Sequence, residues 1–143
     1  MKVRDVLHTK GSQVHAVDPD ASIQDVVDGL MAHRIGALLV IDRDGITRGI
    51  VTERDVLREC VGGAHRLHTT PVYTAMTADL VVGVLDDDID EALGMMTRHR
   101  IRHLPVMDGG RVAGLVSIGD LVKACLDETA SENGFLKEYI HGR

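Results

Sequence analysis

Gly49-Ile-Val-Thr-Glu-Arg-Asp55 returns further along the chain as Gly114-Leu-Val-Ser-Ile-Gly-Asp120, and that return decides the fold. Working outward from it, residues 23–60 lie over residues 89–125 with a single one-residue gap in a turn. Twelve aligned pairs are identical, among them Ile23/Ile89, His33/His99, Arg34/Arg100, Asp42/Asp108, Asp55/Asp120 and Cys60/Cys125. Several other pairs exchange one aliphatic for another, as Ile41/Met107 and Val56/Leu121 do. Two homologous units of this size predict a pseudo-twofold pair, because neither is large enough to bury a core alone.

Each unit reads as β-α-β-β-α. Ser22-Ile-Gln-Asp25 and Asp88-Ile-Asp-Glu91 have the form of capping boxes, an N-cap oxygen with a carboxylate three residues on. Behind the first, Ile23, Val26, Val27, Leu30 and Met31 recur at the spacing of an amphipathic helix. The apolar runs 37–41 and 103–107 predict strands. Gly45 and Gly109-Gly110 predict hairpin turns, and Gly49–Thr52 and Gly114–Ser117 the returning strands. A closing helix follows each, carrying Val56, Leu57 and Cys60, or Leu121, Val122 and Cys125. An extended stretch near His15–Val17 opens the first unit, and Val3–Leu7 and Pro71–Met76 read as matching helical turns. The fold class is therefore α/β, or mixed α+β, with small mixed sheets. The boundaries fall at residues 3–61 for the first repeat, 62–71 for a linker, 72–127 for the second repeat and 128–143 for a helical tail. That tail presents Phe135, Leu136, Tyr139 and Ile140 as an apolar stripe in want of a partner.

Composition excludes several classes. In 143 residues, 22 acidic against 16 basic side chains leave a net charge of −6, poorly suited to duplex nucleic acid. Three aromatics and no Trp leave little for base stacking. No apolar run approaches a membrane span, and MKVRDVLHTK lacks the apolar core of a signal peptide. Two cysteines make no disulfide framework, which points to a reducing cytoplasm. Their equivalent places on the closing helices predict buried packing. Walker, G-x-G-x-x-G, H-E-x-x-H and C-x-x-C motifs are missing, and no nucleophile, base and orienter assemble, so an enzyme is not expected. His65/His68 and His99/His103 lack the accompanying thiolates or carboxylates of a zinc site.

The carriers Val40-Ile-Asp42 with Gly49–Asp55, and Leu104-Pro-Val-Met-Asp108 with Gly114–Asp120, resemble a tandem pair of cystathionine β-synthase (CBS) domains, a Bateman module. The resemblance runs from about Val3 to Asp127, with no catalytic domain attached, as in stand-alone bacterial and archaeal signalling members. It implies clefts between the repeats that bind an adenine nucleotide or another adenosyl ligand, AMP, ADP, ATP or NAD, as a regulatory signal. No catalytic cofactor and no metal are implied. A homodimer is, together with a protein partner of unspecified identity.

By the same resemblance, Asp55 and Asp120 contact ribose hydroxyls, and Thr52 and Ser117 lie near ribose or phosphate. Thr52 and Asp55 read equally well as a capping box, and both roles are compatible. Before its strand the second unit has Arg98-His-Arg-Ile-Arg-His103 where the first has Ala32-His-Arg-Ile-Gly-Ala37. Arg102 and His103 are thus phosphate candidates, set against the ordinary preference of cations for a helix C-terminus. Arg54, which has Gly119 as its counterpart, is a third, and the difference predicts non-equivalent sites. Leu38, Leu39, Leu104 and Pro105 are candidate adenine-pocket lining, and core packing explains them as well. Two other readings stay open. One is a ligand-free interaction module docking a partner through the C-terminal helix. The other is single-strand binding through the Arg98–His103 patch, which the net charge disfavours.

Overall fold

The computed structural model describes the backbone of residues 1–140 and the side chains of residues 1–130. In chain order the elements are α1 (Val3–Lys10), β1 (Ala16–Val17), α2 (Ile23–His33), β2 (Ala37–Ile41), β3 (Thr47–Thr52), α3 (Glu53–Cys60) and α4 (Arg66–Thr69). A 3₁₀ turn at Val72–Thr74 follows, then β4 (Gly83–Val84), α5 (Ile89–His99), β5 (His103–Asp108), β6 (Arg111–Ser117) and α6 (Ile118–Ile140). The chain is mixed α+β, with two three-stranded sheets ordered β1-β2-β3 and β4-β5-β6. In each, the short first strand runs parallel to the second and the second antiparallel to the third.

Two compact units result, and their membership is not sequential. One is Gln13–Leu80; the other joins Met1–Ser12 to the chain from Val81 onward. The segment that opens the first repeat therefore packs with the second. Val3, Val6 and Leu7 of α1 share a core with Ile89, Met96, Leu104, Val106, Val116 and Leu121. In the other unit, Val72 joins Ile23, Val26, Leu30, Leu38, Val40 and Val51.

A glycine in each returning strand permits this arrangement. A Cβ on Gly114 would stand 2.5 Å from Leu7 Cδ2, and one on Gly49 would stand 2.7 Å from both Met76 Sδ and the Thr77 carbonyl oxygen. The segment crossing each sheet lies too close for any side chain there. Main chain completes the crossing in the Gln13–Leu80 unit, where Ile50 and Thr77 exchange N–H···O bonds of 3.0 and 2.9 Å.

Several local expectations are corrected. Asp88 makes no side-chain cap bond to α5; it pairs instead with Lys2 at 3.0 Å, and that ammonium holds its carboxyl below the ordinary value. Met31 and Leu57 are exposed, because α2 buries only the face carrying Ile23, Val26 and Leu30, and α3 turns Asp55 rather than Leu57 inward. Cys60, at the last turn of the short α3, is exposed and Cys125 only half-buried, so buried packing does not account for the pair. The linker contains the one-turn α4. The closing helix of the second repeat and the helical segment expected after it are one element, α6. The stripe Phe135, Leu136, Tyr139 and Ile140 lies outside the described side chains.

Candidate functional site

The same turn is built twice, where a returning strand passes directly into a helix. In the Gln13–Leu80 unit, Thr52 ends β3 in extended conformation and N-caps α3. Its amide donates to Asp55 Oδ2 at 2.9 Å, its hydroxyl donates to the same oxygen at 3.2 Å, and the Asp55 amide lies 3.5 Å from Thr52 Oγ1. Asp55 is 7% exposed, the one buried charged residue among those described. Its other oxygen, Oδ1, has Arg58 Nη1 at 3.5 Å, a long contact to an exposed guanidinium.

In the other unit, the Ser117 amide donates to Asp120 Oδ2 at 2.8 Å and the Asp120 amide donates to Ser117 Oγ at 3.1 Å. The capping reading is therefore realised at both turns, and it fixes each carboxylate over the first turn of a helix. A second donor reaches Asp120 that the sequence reading did not foresee. Lys10, at the end of α1, donates from Nζ to Asp120 Oδ2 at 2.6 Å and to the Leu115 carbonyl at 2.7 Å. Burial raises the Asp120 pKa, but Lys10 and Ser117 outweigh it and hold the carboxyl below its ordinary range.

The cationic candidates are brought to the same turn by strand register. His103 on β5 is the direct partner of Ser117 on β6, as Ala37 on β2 is of Thr52 on β3. The Ile118 amide donates to the Arg102 carbonyl at 2.8 Å, and the Glu53 amide to the Gly36 carbonyl at 3.1 Å. Arg102 and His103 thus flank the Ser117–Asp120 turn, while Gly36 and Ala37 flank Thr52–Asp55. Arg54 is exposed on the first turn of α3, and Arg102 is exposed as well. Each unit places its basic residues differently: Arg54 on the helix in one, Arg102 just before the strand, His103 at its start and Lys10 from α1 in the other.

The four lining candidates divide by strand alternation. Leu38 and Leu104 belong to the hydrophobic cores of their units. Leu39 and Pro105, next along the strands, are buried but project from the opposite faces of their sheets. The histidine spacings bring no metal cluster: among the described residues no three His, Cys, Asp or Glu side chains gather to hold an ion. His33 instead stacks on His15, ring centroids 3.6 Å apart. Among the described residues no helix is long and apolar enough to cross a membrane.

A paired β-α-β-β-α fold with a Thr/Ser-x-x-Asp turn in each half defines a tandem-repeat module, and comparison with known proteins names its family. The model of the CBS domain matches residues 3–62 and again 72–127, and the chain belongs to the CBS domain family. The CBS-domain containing protein ATU1752 of Agrobacterium tumefaciens is 44% identical, with a TM-score of 0.82 over 86% of this chain and 92% of that one. An uncharacterized 17.7 kDa protein of Acidianus ambivalens is 35% identical over 99% of this chain and 83% of its own length. Two more distant structures share the fold: CBSX2 in complex with AMP (24% identical, TM-score 0.74, covering 90% of this chain and 98% of that one), and the CBS domain pair of MJ0100 in complex with 5′-methylthioadenosine and S-adenosyl-L-methionine (22%, 0.78, 90% and 98%).

Proposed function

We propose that this chain is a regulatory, non-enzymatic module that binds an adenosine-containing ligand, AMP, ADP, ATP or NAD, with Asp55 and Asp120 as acceptors for the ribose hydroxyls. The observation that carries the reading is the duplicated turn, in which a carboxylate is held by a capping box over a helix N-terminus. A carboxylate offers acceptors for a cis-diol, and amides at a helix N-terminus favour a neighbouring phosphate. Thr52 and Ser117 stand beside the ribose, Arg54, Arg102 and His103 are the phosphate contacts, and Leu39 and Pro105 are the wall residues best placed for adenine. Family relatives crystallised with AMP, S-adenosyl-L-methionine and 5′-methylthioadenosine support the ligand class. Regulation follows from differential affinity: a ligand shifts only an equilibrium whose two states it binds unequally. We place the module in the cytoplasm as a homodimer, which light scattering across the micromolar range tests.

Thermal unfolding with AMP, ADP, ATP, NAD, S-adenosylmethionine and GTP tests the ligand class. A ligand at about 100 times its Kd adds about 2.7 kcal/mol and raises the midpoint visibly. The expected result is stabilisation by an adenosine compound and not by GTP, diminished in Asp55→Ala or Asp120→Ala. Unchanged midpoints with every compound return both carboxylates to capping alone.

A further inference from the structure

The two motif carboxylates differ in what already sits on them. Asp55 Oδ2 accepts from the Thr52 amide and the Thr52 hydroxyl, and Arg58, on an exposed side chain, stands a long 3.5 Å from Oδ1. That hydroxyl is a neutral rotor, and it turns to a new partner for the loss of one ordinary hydrogen bond. Asp120 Oδ2 accepts from the Ser117 amide and, at 2.6 Å, from the Lys10 ammonium. A carboxylate oxygen has two lone-pair directions, so both on Oδ2 are taken at each turn, by neutral donors on Asp55 and by one full charge at 2.6 Å on Asp120.

Lys10 is held in this place from two sides. Nζ also donates to the Leu115 carbonyl, and α1 is anchored through buried Val3, Val6 and Leu7. The counterpart of Leu115 in the other repeat is Ile50, whose carbonyl accepts from the Thr77 amide at 2.9 Å. Main chain thus meets in one unit the carbonyl that a lysine meets in the other. The lysine keeps an acceptor in the Leu115 carbonyl when it leaves Asp120.

We propose that Lys10 is an internal latch on the Asp120 half-site, a cation from α1 that occupies the carboxylate a ribose would use, so that the two half-sites fill in order, Asp55 first and Asp120 only at higher ligand concentration. This deepens the ribose-acceptor reading given above and rests on it. The Lys10 and Asp120 side chains are 39% and 25% exposed, so solvent screens the pair. The separation between the sites is therefore on the order of tenfold in Kd rather than thousandfold.

Isothermal titration of the full chain with AMP and with adenosine tests the latch, on wild type, Lys10→Gln, Lys10→Arg, Asp55→Asn and Asp120→Asn. The expected result is two unequal sites in wild type, the weaker one lost in Asp120→Asn. Lys10→Gln tightens that weaker site about tenfold for both ligands and leaves the Asp55-dependent site unmoved, while Lys10→Arg keeps the weak site weak. Unchanged affinity in Lys10→Gln, with each Asp variant still removing a site, overturns the latch and leaves the ribose reading standing. A loss of AMP affinity in Lys10→Gln with adenosine unaffected makes Lys10 a phosphate contact and likewise overturns it. No binding of either ligand by wild type or variants removes both readings together. If Lys10→Gln does not fold, added NaCl replaces it: screening loosens the Lys10–Asp120 pair, so the Asp120-dependent site must tighten for uncharged adenosine as salt rises. A site indifferent to salt counts against the latch.

Discussion

Burial raises the proton affinity of the Asp120 carboxyl, yet the Lys10 ammonium and the Ser117 amide and hydroxyl together bring its pKa below the ordinary value of 3.8. A folded pKa below the unfolded one means that the unfolded chain binds the proton more readily. The stabilisation is therefore complete above about pH 4 and is lost as pH falls through the lower folded value. Denaturant unfolding of wild type and Asp120→Asn across this range should show a wild-type advantage at neutral pH that shrinks once the solution is more acid than about pH 4. An advantage that stays constant down to about pH 2 would show that the carboxylate charge contributes nothing there. At this scale the sequence was partly legible. The Thr-x-x-Asp and Ser-x-x-Asp spacings report contacts three residues apart, and such contacts follow from helix geometry alone. The Lys10–Asp120 bond joins residues 110 positions apart, and no local pattern encodes it.

Among the elements, strands and turns were more legible than helix faces. Short apolar runs, glycine turns and the repeat itself located β2, β3, β5 and β6, because such runs between turn residues are the mark of buried strands. Helix faces depend on what covers them, and an apolar residue at helical spacing does not say which neighbour arrives. Leu57 fits the stripe of α3 and is 68% exposed. The motif glycines are the converse case: visible in the sequence as recurring letters, but explained only by the segments that cross them. Gly49→Ala brings a methyl 2.7 Å from a main-chain carbonyl, which is tied into the Ile50–Thr77 bridge and has little room to retreat. Gly114→Ala meets the end of the Leu7 side chain, which has other rotamers. Both changes should destabilise, Gly49→Ala by about 2–3 kcal/mol and Gly114→Ala by about 1 kcal/mol, as read from denaturant midpoints. The reverse order would mean that α1 is the more rigid of the two crossing segments.

Over the whole molecule, the repeat foretold two units but not their membership. Sequence order suggests that Val3–Leu7 belongs to the repeat it precedes, whereas it packs with the second repeat, and Val72 packs with the first. The exchange was hidden because either partner offers an equivalent apolar groove with an equivalent glycine, and only loop reach and packing choose between them. It has a consequence for stability. Val3, Val6 and Leu7 are almost wholly buried in the unit that holds Asp120. At about 1.5–3 kcal/mol for each fully buried aliphatic side chain, their loss amounts to a large part of a small domain's stability. Deleting residues 1–12 should therefore strip hydrogen-exchange protection from β5, β6 and α5, far along the chain, more than from β2 and β3, which follow directly. Protection lost first in β2 and β3 would return α1 to the first repeat. The deletion also removes Lys10, so the unit that loses its lid of apolar side chains is the one that loses its cation. In this fold the N-terminal helix both completes a core and reaches a motif carboxylate, and the stability of that unit is thereby coupled to the charge state of its Asp120 turn.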